Sequence, residues 1–76
     1  MSTKKVIFSN PGDGIDFVKI VEKYPFDMDM KRGRYIVDAK SLLGLMNLGF
    51  DQKIELKVYD EECDDLWKEL DKFVAA

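Results

Sequence analysis

The spacing of apolar positions changes along the chain, and each change marks an element. Lys4, Lys5, Val6, Ile7, Phe8 and Ser9 make a short β-branched and aromatic run that stops at Asn10, Pro11, Gly12, Asp13 and Gly14, a cluster of turn formers. This predicts a first strand over residues 4–9 and then a glycine-rich loop. From Ile15 the residues Phe17, Ile20, Val21 and Tyr24 fall at i, i+3, i+4 and i+7, one stripe of a helix that ends before Pro25. Phe26, Met28 and Met30 alternate with Asp27, Asp29 and Lys31, which is the period of a half-buried second strand. Arg32 and Gly33 supply a tight turn, and Tyr35, Ile36 and Val37 complete a hairpin whose third strand ends near Asp38.

Residues 39–48 hold Leu42, Leu43, Leu45, Met46 and Leu48 in about three helical turns, with Gly49 placed to end them. Such a helix buries one stripe, and these side chains subtend more than half its circumference, so two or three of them should remain exposed. Ile54, Leu56 and Val58 alternate with Lys53, Glu55 and Lys57 as a fourth strand. Asp60, Glu61 and Glu62 then open a last helix in which Cys63, Leu66, Trp67, Leu70 and Phe73 keep helical spacing. The order is β-α-β-β-α-β-α, and its natural architecture is an α+β sandwich of one sheet with helices on one face.

Composition narrows the chemistry. The 76 residues suffice for one core, and 46% hydrophobic with 36% charged residues suits a folded domain rather than a disordered chain. No apolar run approaches the roughly 20 residues of a membrane span, which makes the cytoplasm the expected location and the membrane an unexpected partner. The net charge of -3 and the scattered basic residues argue against nucleic acid as a partner. The single Cys63 has no second thiol or histidine with which to share a metal, and the acidic run around residues 60–65 lacks the glycine and alternating oxygen ligands of a calcium loop. No metal, cofactor or catalytic residue is therefore expected.

The stretch Val37-Asp38-Ala39-Lys40-Ser41-Leu42-Leu43-Gly44-Leu45-Met46-Asn47-Leu48-Gly49 closely resembles a stretch of the histidine-containing phosphocarrier protein (HPr) family of bacterial sugar phosphotransferase systems. The resemblance extends through the hairpin, the fourth strand and the final helix. It implies one HPr-like domain over residues 1–76, with a four-stranded antiparallel sheet in the order 1-4-2-3 and three helices on one face. It also implies a partner-docking patch at Leu42, Leu43 and Met46, flanked by Lys40, and it aligns Ser41 with the serine that a dedicated kinase phosphorylates in many Gram-positive bacteria. At Ser41 a helix cap and a regulatory site both remain open readings.

The departure lies where the family's chemistry sits. Family members carry a Gly-(Leu/Ile)-His-Ala-Arg-Pro type of motif after the first strand, whereas this chain has Ser9-Asn10-Pro11-Gly12-Asp13-Gly14-Ile15-Asp16 and no histidine anywhere. A phosphohistidine relay needs a nitrogen nucleophile that titrates near neutral pH and cations to receive a dianion. Asp13 and Asp16 supply negative charge instead. The expectation is a non-enzymatic regulatory or adaptor protein, a monomer or weak dimer. Its expected partners are phosphotransferase enzymes, an HPr kinase or a transcription regulator. The alternative is a scaffold whose loop at Pro11, Gly12, Asp13 and Gly14 takes an unrelated ligand.

Overall fold

The computed structural model describes residues 1–75. Its elements run β1 (Ser2–Val6), α1 (Pro11–Val21), β2 (Met28–Arg32), β3 (Tyr35–Asp38), α2 (Leu42–Leu48), β4 (Ile54–Val58) and α3 (Asp64–Glu69), followed by a 3₁₀ turn at Asp71–Phe73. The strands form one antiparallel sheet in the order β1-β4-β2-β3, as expected. Val6, Met28, Met30, Ile54, Leu56 and Val58 point from one face into the core, where the helices add Phe17, Val21, Leu45, Leu48, Leu66 and Leu70. Each such side chain contributes about 1.5–3 kcal/mol on leaving water.

The opposite face is polar and patterned. Lys5 pairs with Glu55, Glu55 with Lys31, and Lys57 with Asp29, so neighbouring strands place opposite charges side by side. The exception is Asp29, which also stands opposite Asp38.

Several boundaries differ from expectation: α1 stops at Val21 short of Tyr24, β2 starts at Met28 and not at Phe26, and α2 spans Leu42–Leu48 and not residues 39–48, because Ser41 caps it. Three further differences have clear physical reasons. The first strand lies at Ser2–Val6 rather than residues 4–9, because its ladder runs from Ser2 opposite Val58 to Val6 opposite Ile54, where β4 begins. Phe8 is still buried, with its ring 4.9 Å from Phe17 and 5.6 Å from Phe73. The segment expected as a glycine-rich loop at residues 11–14 is instead the first turn of α1. Proline is preorganised for the first helical position, where its missing N–H costs nothing, and Asn10 caps the turn by accepting from the Asp13 N–H at 3.0 Å. Asp13 reaches back to accept from the Ser9 N–H at 2.9 Å.

The last helix begins at Asp64, so Asp60, Glu61 and Glu62 precede it and do not open it. Asp60 holds that turn by accepting from the Glu62 N–H at 2.8 Å. The apolar stripe nonetheless faces the core, since Cys63, Leu66, Trp67, Leu70 and Phe73 are all buried. In the hairpin, Arg32 faces Tyr35 across the two-residue loop Gly33-Arg34. Gly33 has φ 60°, which suits the first loop position of a type II′ turn and which side chains with a Cβ resist.

Polar contacts tie the helices to the sheet and to each other. Trp67 Nε1 donates to Ser2 Oγ at 3.0 Å, and Lys4 Nζ lies 5.1 Å from the Trp67 ring centroid, anchoring α3 to the start of β1. Glu69 of α3 accepts from both Lys23 Nζ and the Tyr24 hydroxyl, just past the end of α1. The hydrogen bond to Glu69 pushes the Tyr24 pKa up to about 12, and the contact with Lys23, followed by that with Tyr24, lowers the Glu69 pKa.

Candidate docking site on the second helix

The helix α2 is held on three sides. Leu45 and Leu48 point into the core from beneath it. On one flank a Cβ added to Gly44 would lie 3.0 Å from Val37 Cβ, so the missing side chain lets the helix backbone rest against β3. On the other flank a Cβ on Gly14 would lie 2.8 Å from Leu45 Cδ2, 3.8 Å from Met46 Cε and 3.9 Å from Leu42 Cδ1, so the first turn of α1 seats directly on α2. What remains outward is Leu43, 76% exposed, with Leu42 at 37%, half-buried Met46 and the exposed Asn47. Leu42 and Met46 are four residues apart and Leu43 and Met46 three, so the side chains share one helical stripe.

Ser41 is the N-cap of α2, and its Oγ accepts from the Gly44 N–H at 3.1 Å. Lys40 is committed elsewhere: its Nζ donates to the Tyr24 carbonyl at 2.7 Å, and its N–H donates to Asp38 Oδ1 at 2.9 Å. It braces the chain entering the helix and does not stand free beside Ser41. The four residues Lys40, Leu42, Leu43 and Met46 are thus brought to one helix, but only the apolar three belong to its outward surface. α2 has no charged residue in its first or last turn.

Sequence reasoning did not single out Gly14 and Ile15 for this surface. Ile15 is exposed immediately after the glycine that packs on Leu42 and Met46. The available signal was Asn10-Pro11, an N-cap followed by a first-position proline, which moves the start of α1 forward and brings residues 14 and 15 to α2. At the same end of α1, Asp16 Oδ2 lies 3.9 Å from Lys72 Nζ, with both side chains largely in solvent. Among the described residues no group of three or more His, Cys, Asp or Glu side chains is placed to hold a metal ion, and no helix is long and apolar enough to cross a membrane.

One polar sheet face, three helices on the other, and a short apolar helix seated between the first helix and the edge strand define an open-faced α/β sandwich of the phosphocarrier type. Residues 15–76 match the family model described as the HPr component phosphorylation site of the phosphotransferase system, and the chain belongs to that HPr family. The match begins at Ile15, within the stretch of residues 9–16 that the resemblance sets against the phosphorylation motif.

Solved structures agree on the fold. HPr-C-His from Thermoanaerobacter tengcongensis superposes with a TM-score of 0.76 at 22% identity, covering 95% of this chain and 89% of that one. The phosphocarrier protein HPr of Bacillus anthracis str. Ames gives 0.72 at 22% identity, covering 97% and 96%. The histidine-containing phosphocarrier protein of a Mycoplasma gives 0.72 at 11% identity, covering 93% and 89%. No curated protein matches the chain in sequence.

Proposed function

We propose that this chain is a non-enzymatic HPr-like adaptor of the phosphotransferase system, acting in the cytoplasm, that docks a protein partner through α2 and does not carry phosphohistidine. The observation that supports it best is Leu43, three-quarters exposed on a stripe with Leu42 and Met46, on a helix held on its other flanks by the core, β3 and α1. A small domain exposes contiguous apolar side chains at a cost in solubility, and such patches usually mark interfaces. The absence of histidine supports the other half of the reading: the chain has no imidazole to accept phosphate, and the first turn of α1 carries Asp13 where an arriving dianion would need a cation.

In this reading Ser41 is the regulatory position. A phosphate on its Oγ would add roughly two negative charges at the edge of the Leu42 and Leu43 surface, changing what that surface can accept.

The test is an affinity pull-down from the native bacterium with wild type and Leu43→Asp. Leu43→Asp should keep its circular dichroism spectrum and lose its partner. Retention of the same partner by the folded variant would end the docking reading. Incubation with phosphoenolpyruvate and the first phosphotransferase enzyme should leave the chain unlabelled, and a labelled product would overturn the account of α1.

A further inference from the structure

Among the described residues no strand pairs with the outer side of β3, the last strand of the sheet, and its sequence is complementary to itself. The Ala39 N–H donates to the Met28 carbonyl at 3.0 Å, so the backbones of residues 35, 37 and 39 turn towards β2 and those of residues 36 and 38 turn outward. The Asp38 carbonyl is taken by the Ser41 N–H at 3.0 Å, which leaves the Ile36 N–H and C=O facing the open edge. The side chains there are unusually apolar for such a place, with Tyr35 68% and Ile36 62% exposed. Natural sheets guard their edges with charges or covering segments. The other edge obeys that rule: Lys4 and Lys5 lie on β1, and the chain end covers it through Ile7 N–H to Phe73 O, Ala75 N–H to Lys5 O and a bridge between Val6 and Val74.

Antiparallel pairing of β3 with its own copy about a two-fold axis at Ile36 sets Ile36 opposite Ile36, Tyr35 opposite Val37, and Arg34 opposite Asp38. Two backbone hydrogen bonds join the Ile36 residues, and the aromatic and β-branched pair is one that strands favour. The charges across the new pair are complementary. On the polar face Lys5, Glu55 and Lys31 alternate in one row, and in the next Lys57 and Asp29 alternate until Asp38 follows with the wrong sign. Like charges directly opposite are unfavourable. Arg34 of a second copy places a cation on the open side of Asp38, so that Asp38, which faces only Asp29 within the single chain, gains an opposite charge across the new pair.

We propose that β3 pairs with β3 of a second copy of this chain, giving a homodimer with one continuous eight-stranded sheet and all helices on the same side. The proposal is independent of the α2 reading. With a four-residue strand on each side the contact is far smaller than the roughly 1,200–2,000 Å² of a stable complex, so the dimer is weak and depends on concentration.

Sedimentation equilibrium of the full chain from about 10 μM to about 1 mM should show the mean mass rising from 8.8 kDa towards twice that value. A constant monomer mass across the range overturns the proposal. Ile36→Lys and Ile36→Glu each place like charges on the axis at an exposed position, so each variant should keep its fold and associate at least tenfold more weakly. An equimolar mixture of the two should regain association, because the axis then holds one cation and one anion. Wild-type association that survives Ile36→Lys, or a mixture no tighter than its parts, assigns any dimer to another surface and overturns the proposal.

Discussion

Replacing Ser41 separates its two roles. The Oγ of Ser41 satisfies one of the N–H groups that a helix start leaves without a partner, accepting from Gly44 at 3.1 Å. In Ser41→Ala that bond is gone, and removing such a cap typically costs about 1 kcal/mol. The loss matters here because α2 has only seven residues and no charged side chain in its first turn to share the task. For a domain of this size, 1 kcal/mol lowers Tm by roughly 4–8 °C. Ser41→Asp keeps an acceptor at the cap, since aspartate ranks with serine there, so its Tm should stay within about 2 °C of wild type.

The pair therefore dissociates stability from charge. If Ser41 regulates docking, Ser41→Asp should alter partner capture while remaining as stable as wild type, and Ser41→Ala should capture the partner while melting earlier. Thermal unfolding followed by far-UV circular dichroism reads the first quantity, and the pull-down reads the second. An unchanged Tm in Ser41→Ala would refute the capping argument, because the buried side of α2 would then be holding the helix without its cap.

Glu69 offers a test through pH. The Tyr24 pKa stands near 12 against an ordinary 10.0, so its contribution to stability is complete below pH 10 and is lost as the pH rises towards 12. Glu69 is lowered from its ordinary 4.5, so its contribution is complete above that value and is lost as the pH falls through the lowered one. Glu69→Gln should bring the Tyr24 ionisation, followed by tyrosinate absorbance, back towards 10 and flatten the fall of Tm at both extremes; an unmoved high-pH titration would show that Glu69 is not its cause. Gly44→Ala should gain about 1 kcal/mol of helix propensity yet lose about 1–3 kcal/mol to overpacking, because the added Cβ meets Val37 Cβ, rooted on the β3 backbone, at 3.0 Å. A net loss in chemical denaturation is expected, and a clear gain would mean that α2 does not rest on β3.

Much of this fold is local and so could be read from periodicity. The alternation of Ile54, Leu56 and Val58, the helical stripe from Cys63 to Phe73, and the glycine-bearing hairpin turn each follow from how one element meets one buried side, and the structure keeps all three. The resemblance at residues 37–49 supplied the strand order that periodicity alone leaves open. Boundaries were harder. Pro11, Gly12 and Gly14 look like breakers when counted as residue types, and only their placement after the Asn10 cap makes them a helix start. The end of β1 depended on where β4 begins, 48 residues away.

The amino-acid order by itself determined which segments are strands or helices, which side of each is apolar, and that no imidazole is present for phosphoryl chemistry. Tertiary structure decided which leucines of α2 stay outside. Five apolar side chains on a short helix compete for one buried stripe, and the winners are chosen by close approaches at Gly14 and Gly44, which come from two other elements. The same holds for Ile36, whose β-prone neighbourhood reads as buried in any single strand. Its side chain stands beside Lys31 on the polar face, and it is exposed because no helix covers that face, which is settled only once the strands and helices have been assembled.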